Sequence, residues 1–159
     1  MKKVLWIEDA ASMDLADLSG PVIMCGKYDL DTALDATEAG EKIARSEYDA
    51  VVVDIRIPPG WDQAWVDYYA GRHSNKTAAR LGLQLLHSLL APERAQVRIE
   101  RNRIPSWVTP TKIGILSVET RKELEDDLRV LGVRVQREKR PDRLTDLLEV
   151  IEEIIALQG

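Results

Sequence analysis

Two short apolar runs in this chain stop abruptly at carboxylates. Val4-Leu5-Trp6-Ile7 runs into Glu8 and Asp9, and Ala50-Val51-Val52-Val53 runs into Asp54. A run with no polar residue in alternate positions is the pattern of a strand buried on both faces. Such strands belong to parallel sheets covered by helices. Acids that directly follow them are delivered to one edge of the sheet, where they repel. Two unit charges ~4 Å apart cost ~4 kcal/mol at an effective dielectric of ~20. A hard divalent cation relieves that cost, and Mg²⁺ prefers oxygen ligands. The pattern therefore predicts a magnesium site at the carboxyl edge of a parallel sheet.

The rest of the chain supplies such a sheet. Strands are predicted over residues 3–7, 32–36, 49–54, 112–117 and 133–136. Helices are predicted over 10–19, with Asp9 or Ser12 as N-cap, and over 38–46, 81–90, 119–130 and 142–157. Gly20-Pro21 interrupts the first helical pattern, and PVIMC reads either as a strand or as a helix restarted with proline in its first turn. In the last helix Leu144, Leu147, Leu148, Ile151, Ile154 and Ile155 are expected to face inward. Alternating strands and helices make a doubly wound parallel sheet with helices on both faces, a three-layer α/β/α sandwich of five strands. Ligands in such sheets lie beyond the carboxyl ends of the strands, where Glu8, Asp9, Asp54 and Ser117 all fall.

Composition excludes several classes. Of the 159 residues, 45% are hydrophobic and 31% charged, against both disorder and a membrane protein. The longest apolar runs fall far short of the ~20 residues that span a bilayer. The start MKKVLWIEDA has no apolar stretch before its acids and is not read as a signal peptide. The single cysteine, Cys25, allows no internal disulfide, fits a reducing cytoplasm and is read as a small buried hydrophobe. The net charge of −5 disfavours nonspecific binding of nucleic acid.

Five segments in order resemble the receiver domain of bacterial response regulators. VLWIEDA is similar to the first strand with its paired metal-binding acids, and YDAVVVDIRIP to the third strand, with Asp54 at the phospho-acceptor position and Pro58 at the loop proline. LGLQLL resembles the start of the third helix, ILSVE places Ser117 at the switch Ser/Thr position, and REKRPDRLTDLLEVIEEI resembles the closing Lys-Pro segment and final helix. The resemblance implies a flavodoxin-like fold with Mg²⁺ held by Glu8, Asp9, Asp54 and the backbone carbonyl of Arg56. It also implies that Lys139 pairs with the phosphoryl group and that Ser117 hydrogen-bonds it. The acyl phosphate formed is a switch state, so no enzymatic turnover is expected. The implied partners are a histidine kinase or phosphotransfer protein and a downstream protein; nucleic acid is disfavoured and no membrane is expected.

The chain departs from the family pattern at three places. Arg140 intervenes between Lys139 and Pro141, so both cations compete for the phosphate. Gln136, or Arg137 if Arg140 is the match, occupies the position of an aromatic that normally couples to the switch residue. Val118 follows Ser117 where a smaller residue is usual. These departures favour the alternative of a pseudo-receiver, an interaction module that signals without phosphorylation; the intact acids oppose it. A Mg²⁺-dependent enzyme with Asp-x-Asp on a strand is opposed by Asp54-Ile55-Arg56, which lacks the second acid.

The expected organisation is a single receiver-like domain over residues 1–159 with inserted stretches at about 59–80 and 91–111. The first carries Trp61, Trp65, Tyr68 and Tyr69, half of the chain's four Trp and four Tyr. Their spacing puts them roughly on one helix face, as a lid, a partner surface, or a stripe packed onto the domain itself. Arg72, His73, Lys76 and Arg80 follow and read as a solvated loop; His73 and His87 read as structural. The second carries Arg94, Arg98 and Arg101, a basic stripe if helical, then Arg103, and Trp107, which is expected to pack locally.

Overall fold

In the computed structural model of the chain, residues 1–11, 15–72 and 79–159 are described. Strands β1 (Lys2–Ile7), β2 (Tyr28–Ala33), β3 (Ala50–Val53), β4 (Ile113–Ser117) and β5 (Val135–Glu138) form one sheet in the order β2-β1-β3-β4-β5. All four pairings are parallel. The apolar runs are explained by the two faces they serve. Leu5 and Ile7 enter one core together with Val51 and Val53, while Val4 and Trp6 enter the other with Ala50 and Val52. Successive side chains point to opposite faces, and both faces are covered, so no position in either run can be polar.

Helices α1 (Ser19–Met24) and α6 (Asp146–Leu157) cover the Val4/Trp6 face through Val22, Leu147, Val150, Ile151 and Ile154. Helices α2 (Ala36–Arg45), α4 (Leu81–Leu90) and α5 (Arg121–Leu131) cover the other through Ala39, Ile43, Leu85, Leu86, Leu124 and Leu128. Local chemistry sets the ends. Asp35 caps α2 by accepting from Glu38 N–H, and Thr120 and Glu123 form a reciprocal capping box on α5. Gly132, at φ 74°, closes α5 in the left-handed conformation that a side chain disfavours.

Several expectations change. The first helix starts later than the residue-10 reading: a 3-10 turn spans Ala16–Leu18, and α1 then runs through Gly20-Pro21, with the proline in its first turn where no N–H is needed. Ser12 lies outside the described residues. The second strand begins at Tyr28, four residues before its predicted start. The last helix begins at Asp146, so Leu144 precedes it and is half exposed. Cys25 is exposed, because it follows the short α1 instead of lying in a strand.

Residues 59–72 and 91–111, within the stretches expected as insertions, pack onto the α2/α4 face. The carbonyls of Pro58 and Pro59 accept from Ala36 and Thr37 N–H at the start of α2, satisfying donors that a helix leaves open. The Thr37 hydroxyl also donates to Pro59 at 2.7 Å and accepts from Asp62 N–H at 3.0 Å. Helix α3 (Gln63–Ala70) follows, with Trp65 buried in the core, Tyr68 and Tyr69 partly buried against it, and Trp61 exposed. Residues 91–111 form isolated 3-10 turns, so the arginine stripe does not form, and Arg94, Arg98, Arg101 and Arg103 are all exposed. Trp107 packs edge-on against Tyr48, 6.0 Å between centroids, in contact with a residue far from it in sequence.

Gly82, in the first turn of α4, fixes how closely that helix meets β3. Its N–H donates to Ile55 at 2.8 Å, and a Cβ there would lie 1.9 Å from the Asp54 carbonyl oxygen. Gly82→Ala is therefore expected to destabilise the fold by about 2 kcal/mol or more in urea unfolding. Gly40→Ala in α2, whose Cβ meets nothing within 4 Å, is expected to stabilise it by ~0.5–1 kcal/mol.

Candidate functional site

The ladder of the sheet runs one residue past the strand ends and so places the site. Glu8 N–H donates to Ala33 at 2.9 Å, Asp54 N–H to Ile7 at 2.9 Å, and Lys139 N–H to Ser117 at 2.7 Å. Glu8, Asp54, Ser117 and Lys139 are thereby fixed at the same carboxyl edge. One oxygen each from Glu8, Asp9 and Asp54 lies within 4.8 Å of the others. Glu8 and Asp54 are buried, at 2% and 5% exposure, while Asp9 is exposed and opens the cluster to solvent.

Lys139 enters this cluster. Its Nζ lies 2.5 Å from Glu8 Oε2 and 3.4 Å from Asp54 Oδ1. Arg140 turns away and pairs with the buried Asp146 at 2.9 Å. The two cations left competing by the sequence are thus separated: Lys139 faces the acids and Arg140 anchors the start of α6. Arg137 also faces α6, through Glu149 at 2.9 Å and Glu153 at 2.5 Å.

The electrostatics are unfavourable without a further cation. Burial pushes the Glu8 carboxyl above its ordinary value and the Asp54 charge adds to this, against the pull of Lys139. Burial likewise raises Asp54, opposed first by Lys139. Asp9, although exposed as a residue, is raised by partial desolvation of its carboxyl and by its contact with Glu8. One ammonium cannot neutralise three ionised carboxylates, and the two negative charges left over are what a divalent cation would offset. The donors are all hard oxygens, which suits Mg²⁺. The cluster therefore fits the predicted metal.

Ser117 is buried, and its Oγ accepts from Glu119 N–H at 3.1 Å. Gln136, at the position where the resemblance implies an aromatic, donates its amide to the Glu119 carbonyl at 3.1 Å. The Arg56 side chain is half exposed, with Nε 3.8 Å from the Glu119 carboxylate. Val118 is exposed and lines a hollow of about 360 Å³ with Leu15, Lys139, Pro141 and Leu144. His87 meets Asp127 at 3.3 Å, away from the acids; His73 and Lys76 lie outside the described residues. Arg72 stacks on Tyr68 at 4.7 Å. Arg80, read from sequence as part of a solvated loop, instead pairs with Glu119 at 2.8 Å. Glu119 was not singled out by the sequence. Its only signal is an acid two residues beyond a buried strand, and nothing local marks a partner 39 residues away.

Solved structures share this architecture. The chain is similar to a Francisella response regulator 1452 receiver domain, at 19% identity and TM-score 0.62 with all of both chains covered. A CheY-like receiver domain protein from Methanospirillum hungatei matches at 18% identity and TM-score 0.59, covering 99% of this chain and 96% of that one. A sensor protein from Polaromonas matches at 21% identity and TM-score 0.61, covering 99% and 98%. No protein-family model matches the sequence, and no curated protein does. The chain has the fold of response regulator receiver domains, a five-stranded parallel sheet of flavodoxin-like type. No helix among the described residues is long and apolar enough to cross a membrane.

The raised carboxyls have a stability consequence. Their ordinary values are 4.5 for Glu8 and 3.8 for Asp54, and both lie higher in the fold. Protonated acids cost nothing in acid, so the stability they permit is fully present below those ordinary values. It is lost as pH rises through the folded values. In a chelator, Asp54→Asn is expected to be more stable than wild type at neutral pH by about 1 kcal/mol. Urea unfolding from pH 4 to 7.5 should show that gap opening as pH rises, and excess Mg²⁺ should narrow it.

Proposed function

We propose that the chain is a phospho-acceptor of two-component phosphorelay signalling, modified on Asp54 with Mg²⁺ and working in the cytoplasm as a switch without turnover. One observation carries the reading: the Lys139 ammonium sits between the buried carboxylates of Glu8 and Asp54, in an acidic cluster with charge left over for a metal. A structural ion pair needs one acid and one base. This site has an excess of acid, which suits it to receive a cation and a phosphoryl group together.

In this reading an Asp54 oxygen attacks the phosphorus of a phosphohistidine on a kinase or phosphotransfer protein. A P–O bond forms, the P–N bond breaks, and the imidazole nitrogen keeps the electron pair. The carboxylates of Glu8, Asp9 and Asp54 and the Arg56 carbonyl would hold Mg²⁺. When bound, that ion offsets the negative charge shared by carboxylate and phosphoryl oxygens. Lys139 turns from Asp54 to a phosphoryl oxygen as a point charge. Ser117 donates its hydroxyl hydrogen to another phosphoryl oxygen, drawing the turn after β4 inward. Output passes by contact to a downstream protein, and the inserted segment with its exposed Trp61 starts from the loop that follows the acceptor.

Acetyl phosphate with Mg²⁺ tests the reading without a cognate kinase. Intact-protein mass spectrometry should show one added phosphoryl group on wild type and none on Asp54→Asn or in excess chelator. Lys139→Ala should label at least ~10-fold more slowly. Absence of labelling with every divalent ion tried would favour the pseudo-receiver, the reading supported by Gln136 in the aromatic position.

A further inference from the structure

Arg80 and Glu119 form a contact that the phosphorylation chemistry does not itself require. Arg80 Nη2 donates to Glu119 Oε1 at 2.8 Å and Nε to Oε2 at 3.3 Å, a two-point guanidinium–carboxylate contact. The Glu119 residue is 5% exposed. Arg80 is the only non-glycine residue of positive φ among those described, at 48°. Such a backbone persists where its surroundings over-determine it, often at functional sites. It ends the first inserted stretch and is the N-cap of α4, whose Gly82 lies against the Asp54 carbonyl.

Glu119 is thereby fastened three ways. Its carboxylate is held by Arg80, with Arg56 Nε a longer 3.8 Å away, its carbonyl by the Gln136 amide, and its N–H is given to Ser117 Oγ. A serine oxygen that accepts a backbone N–H keeps its own hydrogen for a different acceptor. The direction of that hydrogen follows from where Glu119 is held.

We propose that Arg80 and Glu119 are positioning residues for the Ser117 hydroxyl, and that their clamp ties the start of α4 to the acceptor site. The inference rests on the phospho-acceptor reading. Neither residue touches the reacting atoms. Each acts by fixing the turn after β4, the task that Gln136 alone, as a single neutral amide in place of an aromatic, is poorly equipped to do.

The test is a double-mutant cycle read by the rate of phosphoryl labelling from acetyl phosphate and Mg²⁺. Ser117→Ala, Arg80→Ala and Glu119→Gln are each expected to slow labelling by about 10-fold or more. Ser117→Ala with Arg80→Ala should be no slower than Ser117→Ala alone, within about twofold, because both remove one function. Mg²⁺ affinity should stay within about twofold of wild type in all of them, since the acids are untouched. If Arg80→Ala fails to fold, Arg80→Lys, which keeps the charge and loses the fork, serves in the same cycle. Wild-type labelling rates in the Arg80 and Glu119 variants, or effects that multiply with Ser117→Ala, overturn the clamp alone. Wild type that takes no phosphoryl group overturns the underlying reading and the clamp with it.

Discussion

Two desolvated carboxylates from different strands share one ammonium at the edge of the sheet, and the rest of the structure is arranged to make that tolerable. Glu8 and Lys139 stand 131 positions apart in the chain and 2.5 Å apart in space. The contact needs β1, β3, β4 and the end of β5 in register, because each acid or base is positioned by a ladder bond to the neighbouring strand. Strands held this way need two covered faces, which the two clusters supply. Acids outnumber the ammonium here, so it is loss of Lys139 that strands buried charge, while loss of Asp54 leaves Lys139 paired with Glu8.

The stretches 59–72 and 91–111 shape the surroundings of the acid cluster and supply none of its carboxylates. Trp65 enters the core and Trp107 reaches Tyr48, so most of their aromatic surface serves packing. The exception is Trp61. It borders a groove of about 410 Å³ between α2, the start of α3 and the Ile99–Arg103 stretch, with Gly40 and Thr37 also at its wall. Residues 59–72 follow β3 and Asp54, and Arg80, at the start of α4, pairs with Glu119 two residues beyond Ser117.

Sequence reveals those parts of this arrangement that have a local physical signature. The runs Val4–Ile7 and Ala50–Val53 are legible because burial on two faces leaves no room for polar alternation, and Glu8, Asp9 and Asp54 are legible because acids after such runs are costly. The choice between Lys139 and Arg140 is not legible. Neighbours in a charge run look alike until the turn after β5 aims one inward and leaves the other to Asp146. The arginine spacing at Arg94, Arg98 and Arg101 misleads because helical spacing carries meaning only in a helix, and Pro92 and Pro105 flank short turns instead. Leu144 misleads for a related reason: apolar periodicity continues back across the helix start at Asp146, whose carboxylate Arg140 holds. Arg80 and Glu119 illustrate the remaining limit, a pairing across 39 residues with no pattern in either segment.

Glu8, Asp9 and Asp54 form a cation site whose charge Lys139 only partly neutralises. The direct test is isothermal titration of Mg²⁺ into the protein at neutral pH, with no phosphoryl donor present. Wild type is expected to show one saturable site, lost in Asp9→Asn and in Asp54→Asn, and bound more tightly in Lys139→Met, where the competing ammonium is gone. Absence of saturable binding to wild type, or binding undiminished in both acid variants, would contradict it.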